Sequence, residues 1–149
     1  MHVVLYQPEI PHNTGSVGRT CVAVGAKLWL VRPLGFRLDD YYLRRAGLDY
    51  WEYLDWEVVD DWGQLRQKLP QRPWLFTKRA TGSYADARYE SDDVLIFGCE
   101  SAGLPAAILD EFADRQLRIP IRPEARSLNL SNSVAIALFE AQRQLISAR

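Results

Sequence analysis

Three stretches of this 149-residue chain gather side chains that can do chemistry. The first, Gln7-Pro8-Glu9-Ile10-Pro11-His12-Asn13-Thr14-Gly15, is followed by Arg19. Asn13 suits a helix N-cap, and a helix N-terminus favours an anion such as a phosphate; capping alone accounts for the same residue. Arg19 falls about 200° round a helix from the Val17, Cys21 and Val24 stripe, so it either reaches a neighbouring crevice or faces water. The second stretch, Phe97-Gly98-Cys99-Glu100-Ser101-Ala102-Gly103-Leu104-Pro105, reads as a tight turn into a helix, with Pro105 at its first position. Within it, the Glu100 carboxylate can accept hydrogen bonds from a ligand or pin a neighbouring loop. The third, Ile119-Pro120-Ile121-Arg122-Pro123-Glu124-Ala125-Arg126, runs on through Ser127, Asn129, Ser131 and Asn132. Polar clusters of that kind cap helices and close turns, and this one is richer than a single cap requires.

Other chemistries lack their residues. Cys21 and Cys99 form no CxxC pair, which points away from a zinc site or a disulfide framework. The two histidines, His2 and His12, leave no material for a Ser-His-Asp triad or a multi-histidine metal centre, so no metal is expected. Neither GxGxxG nor GxxxxGK[ST] occurs. The net charge of -1 is unlike that of a generic nucleic-acid binder, but the charge is unevenly spread. Residues 49 to 61 hold six acids and no base, whereas Arg115, Arg118, Arg122 and Arg126 lie close together. Such an arginine run can hold RNA or be a solvated face.

The elements that would position these stretches alternate. Short apolar runs occur at Val3 to Tyr6, Leu28 to Val31, Trp74 to Thr77, Val94 to Phe97 and Leu117 to Ile119. Helical patterns fall at Gly15 to Val24, Asp39 to Arg45, Asp61 to Leu69, Pro105 to Phe112 and Asn129 to Ala148. The alternation predicts an α/β fold, a mostly parallel open sheet with helices on both faces, in one domain spanning 1–149. Ligands of such sheets sit beyond the carboxyl ends of the strands, where all three stretches lie. The last helix has one apolar stripe at Val134, Leu138, Ala141 and Leu145 and a second at Ile136, Phe139 and Ile146. Two apolar sides need two covers, which predicts a homodimer through this helix; a helix wedged inside one domain would show the same pattern. No apolar run approaches membrane-span length, and the start of the chain does not resemble a signal peptide, so a cytoplasmic location is expected.

In order and spacing, the three stretches resemble the motifs of SPOUT-class RNA methyltransferases. Leu43-Arg44-Arg45-Ala46-Gly47-Leu48-Asp49-Tyr50 and Phe139-Glu140-Ala141-x-Arg143-Gln144 are similar to the subgroup that methylates the ribose 2′-hydroxyl of the tRNA wobble nucleotide, cytidine or uridine, in leucine isoacceptors. The resemblance spans essentially the whole chain. It implies a C-terminal trefoil knot and S-adenosyl-L-methionine bound by Phe76, Thr77, Gly98, Glu100, Gly103, Ile119, Ile121, Ser127 and Leu128. It implies catalytic roles for Arg19, Asn13, Glu100, Ser127 and Asn129, with Arg19 proposed in the family to receive the hydroxyl proton. A guanidinium holds its proton tightly, so an orienting, phosphate-pairing role stands beside that one. Asn13, Arg44, Arg45 and Arg126 are the expected tRNA contacts; ion pairing with the acidic segment is the other reading of Arg44 and Arg45. Ser16, Cys99 and Ala102 depart from common family residues. Competing readings are a methyltransferase for another RNA position, a non-catalytic RNA-binding module, and a flavodoxin-like nucleotide-binding protein.

Overall fold

The computed structural model describes residues 1–38 and 50–147. Its centre is the strand β1 (His2–Tyr6), flanked in parallel by β2 (Lys27–Val31) on one side and β6 (Val94–Phe97) on the other. Beyond β2 lies β3 (Trp56–Val59); beyond β6 lie β4 (Trp74–Phe76), β7 (Gln116–Arg118) and the two-residue β5 (Gly82–Ser83). The order is β3-β2-β1-β6-β4-β7-β5, and every ladder is parallel.

Side chains alternate across a strand, so the apolar runs must be buried on both faces. Val3 and Leu5 pack with Val17, Cys21, Val134 and Leu138 on the side of α1 (Pro11–Val24) and α4 (Leu130–Ser147). Val4, on the opposite face, packs with Leu65, Ile108 and Leu109 from α2 (Trp62–Lys68) and α3 (Ala106–Glu111). Among the described residues no helix is long and apolar enough to cross a membrane.

Several boundaries differ from expectation. Helix α1 begins at Pro11, four residues before Gly15, because proline's fixed φ suits the first helical position; Ile10 is the N-cap. Asn13 therefore lies inside the first turn and does not cap it. Pro105 is the N-cap of α3 and not its first residue. The β4 and β7 strands end one residue early, at Phe76 and Arg118. Two strands, β3 and β5, were not anticipated at all. The expected helix at Asp39 to Arg45, with Arg44 and Arg45, lies outside the described residues, as does Ala148.

Candidate active site

The chain lays β2 and β3 on one side of β1 and the later strands on the other, and the loops beyond the carboxyl ends of β1, β6, β4 and β7 meet round a crevice. The loop after β6 enters it as a narrow turn. Gly103 donates its N–H to the Cys99 carbonyl at 3.0 Å, and the two residues form an antiparallel bridge. Two glycines make that possible. A Cβ on Gly98 would stand 2.1 Å from the Gly103 carbonyl carbon, and Gly103 takes the left-handed φ of 70°.

Glu100, in this turn, supplies what α1 lacks. The N-cap Ile10 has no side chain able to cap, and the Glu100 carboxylate accepts the N–H groups of Glu9 (2.8 Å) and Ile10 (3.1 Å). A carboxylate there also suits the positive end of the helix dipole. Asn13 Nδ2 donates to the same carboxylate at 3.1 Å. Glu9 reciprocates: its carboxylate accepts the Ser101 N–H (2.8 Å) and hydroxyl (2.6 Å). The Ser101 hydroxyl first and its amide second hold the Glu9 carboxyl below its ordinary range.

The third loop joins through Asn13, whose Oδ1 accepts from Asn129 Nδ2 at 2.9 Å. Asn129 Oδ1 in turn accepts the N–H groups of Ser131 and Asn132 and the Ser131 hydroxyl, so Asn129 caps α4. Just ahead of it, Arg126 holds a positive φ of 50°, and Gln7, which opens the first loop, holds one of 52°. Each non-glycine residue in that region costs about 1–3 kcal/mol, and such strain collects at functional sites.

These three loops and the loop after β4 enclose a cleft of about 650 Å³. Phe76 and Phe97 stack in its wall with ring centroids 4.5 Å apart, and Leu104, Leu117, Ile119, Ile121 and Leu128 extend the apolar lining. All nine residues expected to hold the cofactor line this cleft: Phe76, Thr77, Gly98, Glu100, Gly103, Ile119, Ile121, Ser127 and Leu128. Asn13 and Asn129 line it too. Arg19 does not: it is exposed on α1, with Cζ 4.8 Å above the Tyr50 ring. Arg126 is exposed and also lies outside the lining. Sequence reasoning missed the Glu9–Ser101 clasp. Its halves are 92 positions apart, and no local pattern marks them as partners.

The dimensions suit a nucleoside-sized ligand: pockets of about 300–1,000 Å³ with apolar walls and a few fixed polar groups bind small cofactors. S-Adenosylmethionine would suit such a lining, in which aromatic and aliphatic side chains can cover an apolar ring and the backbone of the glycine turn offers hydrogen bonds.

Comparison with known proteins agrees with this chemistry. A family model described as the SpoU rRNA Methylase family matches residues 1–139. The tRNA (cytidine(34)-2′-O)-methyltransferase of Burkholderia pseudomallei (strain 1106a) is 50% identical over 147 residues, covering 96% of this chain and 94% of the relative. The enzyme of that name from Escherichia coli (strain K12) is 44% identical over 147 residues, covering 97% and 94%. A solved structure concerned with the 2-OH methylation of C/U34 on tRNA superimposes with a TM-score of 0.93 at 46% identity, covering 98% of this chain and 96% of that one. The SpoU methyltransferase AviRb from Streptomyces viridochromogenes, solved in complex with AdoMet, gives 0.83 at 26% identity, covering 100% and 59%.

Proposed function

The chain belongs to the SpoU rRNA methylase family, and from that premise we propose that it methylates the ribose 2′-hydroxyl of the wobble nucleotide of tRNA, cytidine or uridine, with leucine isoacceptors as its substrates. It is an S-adenosylmethionine-dependent tRNA 2′-O-methyltransferase. The observation that carries the site assignment is Asn13, which bonds Glu100 on one side and Asn129 on the other and so ties all three loops round one cleft.

The cofactor supplies an electrophilic methyl on sulfonium; the chain supplies binding and alignment, the larger part of a direct methyl transfer. Phe76, Thr77, Gly98, Gly103, Ile119, Ile121, Ser127 and Leu128, all in the lining of the cleft, would hold the cofactor. Glu100 already accepts three hydrogen bonds, so it shapes the site and is not the proton acceptor. Asn13, Asn129 and Ser127 orient the acceptor ribose.

Arg19 orients the hydroxyl and pairs with a phosphate, two contacts that the planar fork of guanidinium donors suits. It lies outside the cleft of its own chain, so we assign it to the site of a second subunit. Support for that dimer comes from α4, where Ile136, Phe139 and Ile146 are 37%, 51% and 63% exposed. Singly exposed apolar residues are ordinary, but three on one helix face mark a contact surface. With the dimer go Asn13, Arg44, Arg45 and Arg126 as tRNA contacts, one domain over 1–149, the C-terminal knot, and the cytoplasm as its place of action. The crossed order of β6, β4 and β7 supports the knot.

The test is incubation with labelled S-adenosylmethionine and bulk tRNA, then nuclease digestion and mass spectrometry. A 2′-O-methylated nucleotide from the wobble position is expected; a methyl on a base, at another position, or none from folded, cofactor-bound protein would overturn the reading. Run as a pH-rate profile, the Arg19→Lys variant separates the two roles of that residue. Activity restored only above the lysine's own titration would make residue 19 a base, whereas low activity at every pH supports orientation.

A further inference from the structure

The chain is slightly acidic overall, but its cleft is not. Among the described residues that line the cleft Glu100 is the one carboxylate, and its oxygens are engaged by the first loop. Against it stand three cations in the same lining: Lys78, Arg79 and Arg118. Elsewhere on the described surface Lys27, Arg32, Lys68, Arg72, Arg115 and Arg143 each pair with a carboxylate. The three cleft cations make no side-chain hydrogen bond, ion pair or ring contact with any described residue.

Local structure holds them out. Ala80, 6% exposed, donates its N–H to the Thr77 carbonyl at 3.2 Å, and the Thr77 hydroxyl accepts the Arg79 N–H at 3.3 Å. That turn anchors both its ends and leaves Lys78 and Arg79 exposed. Arg118 follows the buried Leu117 on β7, so alternation along the strand turns it outward, and its carbonyl is fixed by the Tyr84 N–H at 2.9 Å.

Three cations on the edge of one cleft, none of them paired with a described carboxylate, are placed for an external polyanion. We propose that Lys78, Arg79 and Arg118 form a phosphate-binding rim that grips the tRNA backbone next to the acceptor nucleotide. The inference rests on the tRNA methyltransferase reading, since a ribose entering the cleft carries its flanking phosphates past this rim. Each such contact releases counterions, so log affinity should fall with log salt by about 0.7 to 0.9 per phosphate neutralised.

The experiment measures tRNA and S-adenosylmethionine affinities of the full chain across a salt series, for wild type, Lys78→Gln/Arg79→Gln and Arg118→Gln. Weaker tRNA binding is expected, with the salt slope reduced by about 1.4 to 1.8 in the double variant and cofactor affinity unchanged, the latter also reporting an intact fold. Lys78→Arg should keep the wild-type slope, and so should Arg72→Gln, remote from the cleft. An unchanged slope in both neutralising variants, with wild type methylating tRNA normally, overturns the rim while leaving the activity intact. A loss confined to cofactor affinity overturns it too, assigning these cations to the cofactor's carboxylate. Wild type that neither binds nor methylates tRNA defeats the parent reading and the rim together.

Discussion

Glu9, Ser101, Glu100, Asn13 and Asn129 form one continuous hydrogen-bonded chain, and its members differ in how visible they are from sequence. The charged and amide residues of each loop stand out because they cluster locally. Their partners do not, since every bond joining two loops spans about ninety positions or more. That is why Asn13 reads as an N-cap: nothing local shows that Glu100 receives the amides at the start of α1. Two predictions belong here. Gly98→Ala places a Cβ on backbone that cannot yield, so we expect about 2 kcal/mol or more of destabilisation and loss of cofactor binding, read by chemical denaturation and calorimetry. Near-wild-type values in both would show the turn to be looser than described. Glu9 carries the second. Its carboxyl is depressed in the folded protein, so the clasp contributes above the ordinary carboxylate range and is lost as pH falls through the folded value. The melting-temperature gap between wild type and Glu9→Gln should be constant from neutral pH down to about 5 and close below about 4. A gap that widens in acid would contradict the assignment.

At the level of elements, legibility follows burial. The apolar runs of β1, β2, β4 and β6 are buried on both faces and announce themselves, whereas β3 is an edge strand of Trp56-Glu57-Val58-Val59 that is mostly half-buried. Its Glu57 is held by Lys27 and Lys68, so an ion-paired strand passes for an acidic loop. Strand β5 is two residues long, too short to show a period. Helix α4 is the opposite case. Val134, Leu138 and Ala141 are buried against the sheet, Leu145 is half-buried, and the second apolar stripe faces outward, as its spacing suggests. Substitutions on the two sides should therefore act differently. Leu138→Ala, at 1% exposure, is expected to cost about 2–5 kcal/mol in denaturant unfolding. With the proposed dimer formed through α4, Phe139→Glu should leave the fold intact while light scattering reports monomers and activity falls. A Phe139→Glu protein that stays dimeric would place the interface elsewhere.

For the whole molecule, the α/β class was legible because strands and helices alternate along the chain, but the strand order was not. A parallel ladder leaves no register signal in sequence, and nothing in periodicity sets β4 between β6 and β7. The consequence of that order is functional: it brings the loops after β1, β4, β6 and β7 to one cleft and gathers positive charge there on a chain of net charge -1. Because the cleft is assembled from segments far apart in sequence, cofactor binding should stabilise the fold globally. At a hundred times its dissociation constant, S-adenosylmethionine should add about 2.7 kcal/mol, a rise of roughly 5–10 °C in melting temperature. No shift at saturation would mean that the cofactor does not bind the native cleft.

The claim that the acceptor is the wobble ribose has a direct test in a tRNA carrying a single 2′-deoxyribose at that position, compared with the all-ribose tRNA in transfer of labelled methyl from S-adenosylmethionine. Transfer to the all-ribose molecule and none to its deoxy counterpart is expected; equal transfer to both would rule out the wobble ribose as the acceptor.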